Sequence, residues 1–281
     1  MKQQEKKRGI FIVLSIILIL VSSQSTFIVQ VSCQSNDSFY QSLYVSQSDL
    51  QFAQTLEDKL NIDFQYFNLT EITSGQQTPP IKNREGVILI ASREFSDSSN
   101  HIGSYLNSMI NSRKKVVLLT PFINSISGIS RQSWGMNSSF AIIPGSDLSA
   151  SFSLTLNVND SIFSDYLNET FTFEGQVAAS RLHLSAQIYA NITNCTGCGT
   201  DHPTFPIPLI YSMHQTNGDL LVMPLSMIQT NITGIKQLIG DKVQEIISFE
   251  NIITLFIVNF FGGSLPYQNP TLTNSINPTD V

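Results

Sequence analysis

The sequence predicts an α/β three-layer sandwich, with a mostly parallel sheet plus an antiparallel β-rich insertion, and three observations carry this. Two continuous apolar runs, 87–91 and 116–119, have the composition of parallel strands buried on both faces. Segments with apolar residues at helical spacing stand between such runs. Past Pro121 the pattern turns to alternation, as in half-exposed antiparallel strands.

The elements follow in order. Residues 39–45 read as a short strand. Ser48, with Gln51 three positions on, reads as a helix N-cap. Leu50, Ala53, Leu56 and Leu60 follow at helical spacing, and Asn61 closes that helix. Residues 62–67 alternate like a second strand, and a polar loop with Gly75, Pro79 and Pro80 comes next. Gly86 opens the apolar run 87–91. Ser99 then reads as the cap of a helix whose stripe is Ile102, Tyr105, Leu106, Met109 and Ile110. Lys114 and Lys115 precede the strand 116–119. This order predicts a parallel α/β sheet over residues 39–122.

Beyond it, 152–158 and 182–190 largely alternate. Residues 207–213 and 220–225 flank Asn217-Gly218, a strong hairpin signal. Residues 234–261 predict two consecutive helices. The first carries Ile235, Leu238, Ile239, Val243, Ile246 and Ile247; the second, 252–261, is largely buried and too short to span a membrane. The expected organisation is a leader over 1–33, one α/β domain over 34–262 with its β-rich insertion at about 140–205, and a disordered Pro/Asn/Thr tail over 263–281.

Of 281 residues, 42% are hydrophobic and 13% charged, with 57 Ser plus Thr and 21 Asn. Charged residues usually form about a quarter of a soluble chain, so hydroxyls and amides supply this surface's polarity. A net charge of −6, with no basic run beyond the N-terminus, argues against a nucleic-acid partner. Lys2, Lys6, Lys7 and Arg8 precede an uncharged apolar stretch over 10–21, the pattern of a secretory signal peptide. Small residues at Ser22-Ser23 and Ser32-Cys33 offer cleavage points. The rival reading is a signal-anchor, because residues 9–31 carry no charge and are long enough to cross a bilayer. Both put the remainder in the secretory pathway, secreted or lumenal, and the membrane becomes a partner only if the leader is retained. Without residues 1–33 the chain keeps 11 basic and 20 acidic residues, a net −9.

Asn-x-Ser/Thr occurs at Asn36, Asn68, Asn137, Asn159, Asn168, Asn191, Asn194 and Asn231, where composition alone supplies about four. With the leader, they predict a glycoprotein. Cys195-Thr-Gly-Cys198 is the sharpest local feature. A structural disulfide is expected, since both cysteines survive leader removal and an oxidising lumen favours pairing. A redox pair, or a zinc site with His202 and help from His183 or His214, are the alternatives.

The layout resembles the class I glutamine amidotransferase-like (flavodoxin-like) fold. The matching pieces are 87–91 with its helix, 116–120, 218–224 and 251–261. The resemblance implies parallel strands alternating with helices, a late apolar strand and a closing helix packed on the sheet. Such enzymes place a Cys nucleophile on the turn after a strand, whereas 116–120 is followed here by Pro121-Phe122-Ile123. The resemblance therefore points to the non-catalytic type found in secretory-pathway proteins, including a lumenal subunit of the oligosaccharyltransferase. Gly-x-Ser-x-Gly, Walker, dinucleotide and His-Glu-x-x-His patterns are absent from the sequence, so no catalytic residue and no cofactor are expected. Trp134 reads as a core residue rather than an exposed anchor. The expected function is a binding module for a protein or glycan; a lumenal enzyme (thiol oxidoreductase or hydrolase) or an anchored subunit of a lumenal complex are the alternatives.

Overall fold

Among the described residues nine strands share one sheet, whose two halves obey different rules. The computed structural model describes residues 40–60, 62–129, 134, 141–143, 151–157, 170–174, 176–179, 182, 186–196, 206–215, 218–226, 234–235, 246–247 and 249–262. The first half alternates strands and helices: β1 (Tyr40–Tyr44), α1 (Gln47–Leu60), β2 (Phe64–Asn68), α2 (Leu69–Thr73), β3 (Gly86–Ile90), α3 (His101–Asn111) and β4 (Lys115–Leu119). A 3₁₀ turn (Ile123–Ser125) follows. Then come β5 (Ala141–Ile143), β6 (Ser151–Leu156), β7 (Thr170–Glu174), β8 (Val177–Ala179), β9 (Gln187–Thr196), β10 (Ile207–Gln215) and β11 (Gly218–Met223). The described residues end with β12 (Gly234–Ile235), β13 (Ile246–Ile247) and α4 (Phe249–Gly262).

The sheet order is β2-β1-β3-β4-β11-β10-β9-β6-β7. The first five strands are parallel, in the 2-1-3-4-5 spatial order of flavodoxin-like doubly wound sheets. From β11 onward every neighbour is antiparallel. The β-rich stretch thus extends the main sheet, while β5–β8 and β12–β13 form small separate pairs.

Strand alternation sends each apolar run to both faces at once. On one face Ile88, Ile90, Val117, Leu119, Leu221 and Met223 pack with Ala53 and Leu56 of α1 and Ile253, Phe256 and Ile257 of α4. On the other, Leu43, Val87, Leu89, Val116, Leu118 and Val222 meet Leu69 and Ile72 of α2, Leu106 and Met109 of α3, and Trp134. Burying each such side chain stabilises by about 1.5–3 kcal/mol, which is why these strands carry no polar face. Lys115 fastens the last helix: its Nζ donates to the Phe261 carbonyl at 2.6 Å, satisfying one orphan acceptor at the end of α4. At the β2 edge, Glu57 accepts from the Phe64 N–H at 2.7 Å and from the Tyr66 hydroxyl, covering backbone that would otherwise invite another strand.

Five local expectations are corrected. The cap of α1 is Ser46 rather than Ser48, because the Asp49 carboxylate reaches back to Ser46 N at 2.9 Å while Asp49 N donates to Ser46 Oγ at 3.3 Å. A reciprocal box with a charged acceptor displaces the Ser48/Gln51 alternative. The N-terminus of α3 is capped by Asp97, not Ser99. The first of the two late helices is not formed at its ends: 234–235 and 246–247 pair antiparallel, and the β-branched Ile235, Ile246 and Ile247 suit that ladder. The strand expected over 182–190 instead runs from Gln187 to Thr196. The short helix α2 lies where a loop was expected. Asn68 accepts from Thr70 N at 2.8 Å and starts it, a cap visible in Asn68-Leu-Thr-Glu71. The leader, the 263–281 tail and residues 236–245 lie outside the described residues.

Candidate functional site at the carboxyl edge of the parallel strands

In a doubly wound sheet, ligands sit outside the carboxyl ends of the strands, where the strand order reverses. Here the reversal falls between β1 and β3. β1 delivers Val45-Ser46 and the first turn of α1; β3 delivers Ala91-Ser92; β4 delivers Thr120-Pro121-Phe122. Hydroxyls converge there. Ser46 Oγ lies 2.9 Å from Ser48 Oγ and 3.5 Å from Ser92 Oγ, and it donates to Asp49 Oδ2 at 2.8 Å. Ser46, Ser48 and Ser92 are half-buried, whereas Asp49 is 2% exposed.

A hydroxyl on a carboxylate has the outline of an activated nucleophile, but the geometry is that of a cap. Asp49 Oδ2 takes both the Ser46 N–H and the Ser46 hydroxyl, so it neutralises the first turn of α1 and holds Ser46 in place. In the turn after β4, Thr120 Oγ1 accepts from the Phe122 N–H at 3.0 Å and shapes a turn with no thiol in it. What this edge offers a ligand is a group of hydroxyls.

Asp97 organises the neighbouring wall. Its carboxylate, 1% exposed, accepts from Ile102 N and Gly103 N at 3.0 Å and from Ser127 N at 3.2 Å. One side chain therefore ties the loop after β3, the start of α3 and the loop after β4. A Cβ on Gly103 would sit 1.7 Å from the Ser127 carbonyl oxygen, so that close approach needs glycine. At the far end of the sheet, Tyr105 donates to the buried Gln41 amide. Burial pushes the Tyr105 phenol well above its ordinary range, offset in part by Arg84.

The residues singled out from sequence scatter. Trp134 is 1% exposed and its indole donates to Asn107 at 3.0 Å, as a core residue should. His214 bonds Asp219 at 2.5 Å across the β10–β11 hairpin, an exposed surface pair. His101 meets the Ile72 carbonyl at 3.0 Å and joins α3 to α2. Cys195 stands near the end of β9, opposite Phe152 on β6. Among the sequons, Asn68 is half-buried, Asn191 is buried and Asn194 is exposed. Cys198, His183, His202, Asn36, Asn137, Asn159, Asn168 and Asn231 lie outside the described residues. Among the described residues no cluster of three or more His, Cys, Asp or Glu is placed to hold a metal ion, and no helix is long and apolar enough to cross a membrane. Ser46, Asp49 and Ser92 were missed from sequence, although Ser46-Gln-Ser-Asp49 directly after a strand is itself a capping-box pattern.

No family profile matches the chain, and no curated protein matches its sequence. Solved structures align with its trace. A ThuA-like protein of Parabacteroides merdae aligns with TM-score 0.48 and 8% identity, covering 83% of this chain and 93% of its own. A GMP synthase protein of Thermoplasma acidophilum gives 0.43 and 11%, covering 80% and 93%. A glutamine amidotransferase of Thermotoga maritima gives 0.37 and 7%, covering 66% and 75%. Such alignments do not reach the chemistry of the site.

Proposed function

We propose that this chain is a non-catalytic, N-glycosylated α/β module of amidotransferase-like type, secreted or held in the lumen of the secretory pathway, which binds a protein or glycan at the carboxyl edge of its parallel strands. The observation that carries the non-catalytic reading is the fate of Asp49: the carboxylate that accepts the Ser46 hydroxyl at this edge is consumed in capping α1. The turn after β4, with Thr120-Pro121-Phe122, supports it by lacking a thiol and by engaging the Thr120 hydroxyl with the Phe122 N–H. The basic, apolar leader and eight sequons support the compartment, and the converging hydroxyls of Ser46, Ser48 and Ser92 support a hydroxyl-rich ligand. Cys195 on a strand end supports a local disulfide with Cys198 over a redox pair.

The test has two arms. N-terminal sequencing of the mature protein from a eukaryotic secretory host should find a start after residue 23 or 33; a start at Met1 or Lys2 shows a retained anchor. Glycan-array binding by the purified glycoprotein, lost on Ser92→Trp with an unchanged melting profile, supports the binding edge. Release of ammonia from glutamine, abolished by Ser46→Ala, would overturn the non-catalytic reading.

A further inference from the structure

The sequons Asn191-Ile-Thr193 and Asn194-Cys-Thr196 sit back to back on one strand, and the sheet treats them differently. Asn191 lies inside β9, opposite Pro208 of β10 and Thr155 of β6, and is 7% exposed. Asn194, three residues on, is exposed, and its Oδ1 accepts from the Cys195 N–H at 2.9 Å. Asn68 repeats that arrangement: its Oδ1 caps α2 through Thr70 N at 2.8 Å. Glycan transfer forms a bond from the side-chain Nδ2 to the anomeric carbon of a lipid-pyrophosphate-linked oligosaccharide. The amide loses one hydrogen as a proton, and the lipid pyrophosphate departs as the leaving group. Oδ1 keeps its lone pairs, so both caps survive the modification. At Asn191, 7% exposed at the centre of the sheet, the same bond would force a sugar into the packing that covers that face of β9, and the packing could not close around it.

We infer that Asn68 and Asn194 are the glycan acceptors among the described sequons and that Asn191 stays unmodified in the folded protein. This rests on the secretory reading above. It makes β9 a strand with a dry centre and a glycosylated end, beside Cys195.

The experiment expresses the full chain through a eukaryotic secretory route. Peptide-N-glycosidase treatment, which converts each occupied Asn to Asp, is followed by peptide mass spectrometry and gel mobility. Asn68→Gln and Asn194→Gln should each remove one mobility step. Thr196→Ala, which destroys the same sequon while keeping Asn194, should also remove one. Thr193→Ala disables the Asn191 sequon at an exposed threonine without touching the buried amide, and should remove none. Conversion to Asp at Asn191, or a step lost in Thr193→Ala, overturns the inference while leaving the secretory reading intact. So does an unoccupied Asn68 or Asn194 on a protein glycosylated elsewhere. No conversion at any of the eight sequons overturns both.

Discussion

Asp97→Ala probes the point at which three segments meet. The carboxylate is 1% exposed and accepts three main-chain N–H groups, from Ile102, Gly103 and Ser127. Alanine removes every acceptor at once. Two of the donors belong to the first turn of α3, where losing a cap costs about 1–2 kcal/mol. The third closes the loop after β4, and an orphaned buried donor costs about 1–3 kcal/mol. Water entering the opened space recovers part of this, so the expected loss is roughly 3–4 kcal/mol. Domain stabilities are only about 5–15 kcal/mol, so the variant should remain folded but be visibly weakened. With a urea slope of about 3 kcal/mol/M, the unfolding midpoint should fall by about 1 M. The single Trp reports locally, because Trp134 is buried and bonded to Asn107 on α3. Its emission and far-UV circular dichroism should shift together. Asp97→Asn keeps an acceptor oxygen and should lose about half as much. A midpoint change below about 0.3 M for the alanine variant, at constant slope, would show that these bonds do not hold the loops together.

Gly103→Ala places a methyl against the Ser127 carbonyl and should cost about 2 kcal/mol or more by thermal melting. Combined with Asp97→Ala it should cost less than the sum, since the loop it presses against is already released. Ser46→Ala and Asp49→Ala should each lower stability by about 1 kcal/mol in urea, while Ser48→Ala stays within about 0.5 kcal/mol. Burial first, then the Glu85 hydrogen bond, pushes the Tyr40 phenol up to about 12. Burial likewise raises Tyr105, Tyr189 and Tyr211. Raised folded-state values mean that this stability is fully present below pH 10 and is lost as pH climbs from 10 towards the folded-state values. The tyrosinate absorbance of these four should therefore rise with unfolding rather than before it, and Tyr40→Phe should flatten the decline.

The parallel half was legible because its signal is local. Runs such as 87–91 and 116–119 serve both faces of the sheet, so the apolar pattern names the strand without knowledge of its neighbours. Capping was less legible: Ser46 and Ser48 both fit, and only the reach of Asp49 separates them. β9 was shifted because its outer end, Asn191 to Thr196, is polar in sequence, while its pairing with β6 and β10 is set by residues far along the chain. Ile235 and Ile246-Ile247 carry helical spacing and β-branched character together, and cross-strand pairing decided between them. The hydroxyl group of Ser46 and Ser92 joins residues from two strand ends, which no spacing along the chain reveals.

The place of β11 has a consequence for how the chain is made. β4 finds its second neighbour only when β11 emerges, roughly 100 residues later, a wait of about 5–20 s at ordinary rates of synthesis. Throughout that interval Val116, Val117 and Leu118, fully buried in the finished protein, border an open backbone edge. Relief comes as a ready-made pair, since β10 and β11 are joined by a short hairpin and can zip together before they dock.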